Sequence, residues 1–407
     1  MSAASLGDPA NAVELAPPER IVVVGGGLAG LRTVEELRAQ GYAGQLTLIG
    51  AESRPPYDRP PLSKRLMAGD VDDTSLRDEL DSLGALVRLG ERAERIGDGV
   101  LCTDRDEHPF DRLAISTGAR PVALPGPGRQ RFLRTLDDAL TLRETLVPGA
   151  RLAIIGAGWI GAELATVAVS RGCQVTVVEA AQTPLAATMG QEIGALTAAW
   201  YRGAGVELLL GQAVESVQDG GLALAGGGWL AADEIVTAVG VRPDTAWLES
   251  SGVKLDNGVA VDELLRSSVP GIYAIGDCAA FWSGRYGRRL RPEHWDVALR
   301  GPVTLAANLI GGSERYDPVP YFWSEQFGRM LQYVGDHQSA EQLVWRGSPG
   351  GERWAACWLT GGKLVALLAV DLPRDLQQGR RLIESASLVD EGRLADPAVS
   401  LREAART

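Results

Sequence analysis

The sequence predicts an α/β protein made of two βαβ units of one design, set in series, followed by a small α+β domain. Three observations carry this. A glycine-rich strand-to-helix turn begins at Gly25, a second begins at Gly156, and the stretch after Trp323 has no such turn but alternates apolar runs with glycine-containing turns. At 407 residues the chain also exceeds what one hydrophobic core usually serves, so more than one domain is expected.

The elements follow in chain order. Residues 1–18, rich in Ala, Pro and small polar types, show neither helical nor strand periodicity and read as a disordered leader. Ile21, Val22, Val23 and Val24 form a continuous β-branched run, suited to a strand covered on both faces of a parallel sheet. Gly25, Gly27 and Gly30 then fit G-x-G-x-x-G, where missing side chains permit the turn, the approach of a pyrophosphate and tight helix packing. Leu28, Leu31, Val34 and Leu37 share a helical face up to Gly41, and Gln45 to Ile49 reads as the second strand. Glu52 follows it, placed to accept hydrogen bonds from an adenosine ribose.

The device recurs at Leu152 to Ile155, with Gly156, Gly158 and Gly161, a helix to Arg171 closed by Gly172, and a strand ending at Val178 before the acid Glu179. One glycine match is weak, but each of these has its strand, helix and acid at the expected spacing. The sequence therefore predicts two Rossmann-like dinucleotide-binding domains. Thr117 and Gly118, in LAISTGARP, and Asp277, in IYAIGDCAA, each end an apolar run with residues able to contact a bound dinucleotide; ordinary turns are the other reading. From Trp323 onward, runs such as Val365 to Val370 predict a mixed sheet-and-helix domain.

Composition excludes several classes. With 52 acidic against 40 basic side chains, the surface is expected to repel nucleic acid. No stretch approaches a membrane span and no basic start precedes an apolar core, so no membrane role is expected and a cytoplasmic protein is the reading. Cys102, Cys173, Cys278 and Cys357 never form C-x-x-C, which argues against disulfide, metal and dithiol-redox chemistry together; reduced, mostly buried thiols are expected.

The motifs GGGLAG, PYDRPPLSK, STGARP, LRTLDDA, GAGWIGAE, VGVRP, IYAIGD and FWSEQ, in this order, resemble the putidaredoxin reductase-like FAD-dependent ferredoxin reductases, over nearly everything after Arg20. The resemblance implies FAD at the first site and NADH at the second, with an NADH domain (122–251) inserted in a split FAD domain (19–121 and 252–322) and a C-terminal domain at 323–407. By matching position, Ala29, Glu52, Lys64, Ala93, Arg134, Asp277 and Trp295 look like FAD contacts, with Arg59 beside them; Gly240 of VGVRP joins the cofactor-binding set. In the family Lys64 and Glu163 pair beside the flavin, where a cation favours the reduced ring and a carboxylate holds the ammonium. A helix-surface Glu163 is the bland alternative. Trp323 is expected near the isoalloxazine, with an ordinary core tryptophan as the other reading.

Glu179 should repel a 2′-phosphate, and Ala180, Ala181, Gln182 and Thr183 offer no guanidinium to neutralise one, so NADH is favoured over NADPH. The implied activity is hydride transfer from NADH to FAD, then single electrons to a small [2Fe-2S] or similar ferredoxin serving a cytochrome P450 or ring-hydroxylating oxygenase. Arg285, Arg288, Arg289 and Arg291 are the candidate docking edge for an acidic ferredoxin, balanced evenly against a solvated charged loop. Val297 and Arg300 stand where several relatives have amides. An NADH oxidase, or a signalling flavoprotein resembling apoptosis-inducing factor, are the competing functions.

Overall fold

The computed structural model describes residues 16–406 apart from Asp78, so most of the expected leader lies outside the described residues. The chain divides into two compact units. One takes the chain as far as Asp58, Ser75–Arg120 and Arg242–Pro318; the other takes Arg59–Thr74, Pro121–Val241 and the chain from Val319.

The first unit is centred on five strands in the order Ile272–Ala274, Arg112–Ile115, Arg20–Val24, Gln45–Gly50, Leu86–Leu89, every neighbouring pair parallel. Arg20–Val24 is the middle strand, and Ile21 to Val24 are at most 2% exposed, which is why the run carries no polar alternation. The helix Leu28–Ala39 packs against the helix Trp295–Leu309, burying Leu31, Val34 and Leu37. The unit also holds an antiparallel sheet of Ala93–Gly97, Val100–Thr103 and Glu107–Pro109, and a second small sheet of Val259–Val261, Ala279–Ser283 and Arg288–Leu290. The hairpin of Ala93–Gly97 and Val100–Thr103 closes through Asp98 and Gly99, both with positive φ (50° and 75°), the backbone that an Asp-Gly two-residue turn favours.

The second unit repeats the design with four parallel strands, Glu207–Leu210, Gln174–Glu179, Arg151–Ile155 and Glu234–Thr237. It also holds a five-stranded antiparallel sheet in the order Tyr321–Gln326, Arg329–Gly335, Lys363–Val370, Trp354–Thr360, Gln342–Gly347. Both faces of that sheet are covered. Leu367 and Ala369 lie in the cluster with Leu376, Leu382 and Ile383 of the helix Pro373–Ser385, whereas Ala366, Leu368 and Val370 lie with Leu185, Ile193 and Trp200. A bulge, where Trp358 pairs Ala366 and Leu359 pairs Leu364, puts Leu364 on the face of Leu367. The all-apolar run from Val365 to Val370 is the consequence.

The segment Arg59–Thr74, which the resemblance groups with the FAD part, clusters with the second unit. The Arg143 guanidinium donates to Leu66 O and the Arg171 guanidinium to Met67 O and Ala68 O. All four cysteines are buried free thiols. Among the described residues no helix is long and apolar enough to cross a membrane, and no group of His, Cys, Asp and Glu could hold a metal ion.

Candidate functional site

Each unit carries a glycine turn whose three glycines do different work. In the first unit a Cβ on Gly25 (φ 117°) would sit 2.1 Å from Ser116 O, and one on Gly30 would sit 1.9 Å from Gly25 O. A Cβ on Gly27 would meet nothing within 4 Å. Two glycines are therefore required by backbone packing, and the middle one keeps open space in front of the helix. The helix Leu28–Ala39 starts there with no side-chain cap and no acid in its first turn, whereas Leu136–Thr145 has a capping box of Thr135 and Asp138. Uncapped first-turn N–H groups facing open space suit an anionic phosphate.

The second unit matches it. Cβ atoms on Gly156 (φ 102°) and Gly161 would lie 2.5 Å from Ala238 O and 2.1 Å from Gly156 O, Gly158 has nothing within 4 Å, and the helix Trp159–Ser170 is uncapped. Glu179 closes this turn: Oε2 accepts from Ala157 N and Oε1 from Ala181 N, both at 2.8 Å. The carboxylate thus borders the glycine turn where a ribose would lie. Gly240 has a positive φ of 103°, and a Cβ added there would meet nothing within 4 Å. The cradles fit a dinucleotide in both units.

Around the first turn, Glu52 accepts from Tyr57 Oη at 2.5 Å, and its own carbonyl accepts from Gly90 N. Ala93 begins a strand just beyond Glu91, a buried carboxylate that takes Thr103 Oγ1 and His108 Nε2, each at 2.6 Å. Ala29 packs against Gly276, where an added Cβ would come within 3.3 Å of the Ala29 Cβ, so the glycine helix and the Asp277 turn meet. Thr117 Oγ1 donates to Asp244 O at 2.7 Å, and Gly118 has a φ of 71°. Trp295 Nε1 donates to Asp58 Oδ1 at 2.6 Å. Its neighbour His294 carries no signal in the sequence; burial holds its pKa down at about 4 against the upward pull of Asp277, so the ring is neutral.

In the second unit a polar cluster gathers around Glu163. Lys64 Nζ and Ser63 Oγ both donate to Glu163 Oε2, at 2.7 and 2.5 Å, and Ser324 Oγ donates to Oε1 at 2.6 Å. Gln326 Nε2 in turn donates to Ser324 Oγ at 3.0 Å. Glu163 is only 3% exposed, which rules out the helix-surface alternative. Arg59 Nη1 donates to Arg134 O at 2.5 Å. Trp323 is half-buried and stacked on Tyr321, with ring centroids 6.1 Å apart. Ser63, Ser324 and Gln326 sit inside PYDRPPLSK and FWSEQ, yet sequence reasoning misses them as site residues. The available signal is two polar residues at i and i+2 of a strand, facing one way into the protein.

Two of the four arginines of the candidate docking edge are tied to backbone carbonyls. Arg289 donates to Val261 O at 2.5 Å and Ala280 O at 3.1 Å; Arg291 donates to Asp277 O at 3.1 Å and Glu293 at 2.7 Å. These two guanidinium groups fasten the hairpin Ala279–Ser283/Arg288–Leu290 and the Asp277 turn, because they satisfy carbonyls that the short strands leave over. Arg285 is exposed and Arg288 half-buried. Arg300 pairs with Asp296 at 2.6 Å, and Val297 is buried.

Residues 19–301 match the family model described as pyridine nucleotide-disulphide oxidoreductase, and residues 321–405 match the one described as reductase C-terminal. The chain is 35% identical over 397 residues to the ferredoxin–NAD(+) reductase component of the anthranilate 1,2-dioxygenase system of Burkholderia cepacia, covering 94% of this chain and 98% of that one. Among solved structures it is similar to Fdr9, with 46% identity, a TM-score of 0.91, and 94% and 99% of the two chains covered. It is also similar to putidaredoxin reductase in its covalent complex with putidaredoxin, with 30% identity, a TM-score of 0.90, and 95% and 97% covered.

Proposed function

We infer from one premise, that the chain belongs to the pyridine nucleotide-disulphide oxidoreductase family and carries a reductase C-terminal domain, that it is an FAD-dependent NADH:ferredoxin oxidoreductase. FAD, when bound, takes two electrons as hydride and releases them singly, the conversion that a one-electron iron–sulfur carrier requires.

The chain's own residues bind and orient. The turn from Gly25 to Gly30 holds the FAD pyrophosphate, and Glu52 holds its adenosine ribose. The turn from Gly156 to Gly161 and Glu179 do the same for NADH, with no cation in Ala180–Thr183 to welcome a 2′-phosphate. Lys64 brings positive charge to the flavin, and Glu163 keeps that ammonium from swinging away. The Lys64–Glu163 pair, with its carboxylate buried, is the observation that carries the reading. Two dinucleotide cradles are common to disulfide reductases as well, but here the four thiols are unpaired and a charged pair stands in the chain instead.

The acceptor is a small ferredoxin, serving a ring-hydroxylating dioxygenase or a cytochrome P450. The similar reductase of Burkholderia cepacia is a component of a dioxygenase system, and the similar putidaredoxin reductase is seen joined to putidaredoxin. We place the protein in the cytoplasm, where unpaired thiols stay reduced.

Steady-state NADH oxidation by the purified yellow protein tests this, with ferricyanide, oxygen, or cytochrome c with and without candidate ferredoxins as acceptor. Ferredoxin-dependent cytochrome c reduction well above the oxygen rate is the expected result. Rapid oxidation by oxygen alone would make the protein an oxidase, and near-absent turnover with every acceptor would make it a signalling flavoprotein.

A further inference from the structure

The carboxylate of Glu163 is held from three directions. Oε2 takes the two donors that neighbour each other in the chain, Ser63 and Lys64. Oε1 takes one, Ser324 Oγ at 2.6 Å, from the strand Tyr321–Gln326 of the C-terminal sheet. The direction of that hydroxyl proton is not left to chance. Gln326 Nε2 donates to Ser324 Oγ at 3.0 Å, so the oxygen is an acceptor toward Gln326 and its single proton is turned toward Glu163. Ser324 and Gln326 are both fully buried, two residues apart on one face of the strand, so neither can exchange its partner for water.

We propose that Ser324, oriented by Gln326, is a positioning residue for the flavin-side Lys64–Glu163 pair, acting through Glu163 Oε1. This rests on the reading that Lys64 and Glu163 serve flavin reduction. A carboxylate anchored only through Oε2 is free to rotate about its last torsion and carry the Lys64 ammonium with it; the Ser324 hydrogen bond stops that rotation. The C-terminal domain thereby contributes to the reductive half-reaction through one hydroxyl group, although it carries no nucleotide motif of its own.

The test uses the FAD-loaded full chain with Ser324→Ala, Ser324→Thr, Glu163→Gln and the double variant Ser324→Ala/Glu163→Gln. Two quantities are read: the rate of flavin reduction at saturating NADH in stopped flow, and the position of the visible absorption band of the oxidised flavin. Ser324→Ala is expected to slow reduction by about tenfold, the worth of one charge-assisted hydrogen bond. It should also shift the band in the same sense as Glu163→Gln, leaving the NADH dissociation constant and FAD content unchanged. Ser324→Thr restores both readouts. In the double variant the alanine adds nothing further, since the partner through which it acts has already changed. A rate and spectrum unaltered by Ser324→Ala overturn the proposal, and so does a loss of equal size in both backgrounds, which is what a merely structural serine gives. If Glu163→Gln itself leaves reduction and spectrum unaltered, the underlying reading of the pair fails and the proposal falls with it; a Glu163→Gln effect without a Ser324→Ala effect sinks the proposal alone.

Discussion

At the scale of single residues, the consequences follow from burial. Lys64→Ala removes the charge partner of a carboxylate that is 3% exposed, so that a buried polar group loses one of its donors. A loss of about 3 kcal/mol in unfolding free energy or failure to retain FAD is expected, together with slower flavin reduction; denaturant melts and flavin content measure the first, stopped flow the second. Unchanged behaviour on all counts removes Lys64 from the site. Glu179→Ala takes away the negative charge that borders the second glycine turn, so the ratio of kcat/KM for NADH over NADPH should fall by about tenfold, equivalent to about 1.4 kcal/mol of discrimination. His294 supplies a pH prediction. Its folded pKa of about 4 lies below the ordinary 6.5, so the unfolded chain binds the extra proton first and stability present above pH 6.5 is lost as pH falls toward 4. The loss is on the order of 3 kcal/mol. His294→Asn should flatten that part of the curve of urea midpoint against pH, and an unchanged slope would assign the acid sensitivity to other groups.

At the scale of the element, the glycine turn separates packing from binding. Gly30→Ala drives a Cβ to 1.9 Å from Gly25 O, so the helix Leu28–Ala39 must move off its strand; a loss of about 2 kcal/mol and of FAD together is expected. Gly27→Ala meets no protein atom and its φ of −89° suits alanine, so the fold should melt as before while FAD titrates far more weakly. Equal damage from the two substitutions would show that the space before Gly27 is not where the pyrophosphate lies. This element is almost wholly legible in the sequence, because strand, turn and helix are local and each residue type states its own constraint. The strand Tyr321–Gln326 is not. FWSEQ stands out as a string, but that Ser324 and Gln326 face inward is a matter of register, which the strand acquires only by pairing with Arg329–Gly335.

At the scale of the whole molecule, a chain of net charge −12 attracts an acidic partner only through a local concentration of positive charge. Of the arginines at 285–291, Arg289 and Arg291 donate to backbone carbonyls, and Arg285 is exposed. Reversing Arg285 and Arg288 to Glu should slow ferredoxin reduction, increasingly so at low ionic strength, while ferricyanide reduction holds steady; equal losses with both acceptors would defeat the docking role. Arg289→Ala should instead lower thermal stability with little acceptor selectivity, because its guanidinium is spent on Val261 O and Ala280 O.

The sequence by itself determined the two glycine turns and the acids Glu52 and Glu179 that follow them, which rest on residues close in the chain, and the absence of a C-x-x-C pair, which narrows the class of chemistry. Only the tertiary structure decided that Ser63, Lys64, Glu163, Ser324 and Gln326 converge in one buried cluster, and that Arg289 and Arg291 turn inward. A buried polar group must find its hydrogen-bond partner wherever the folded chain supplies one, and for Glu163 that partner lies in another part of the sequence.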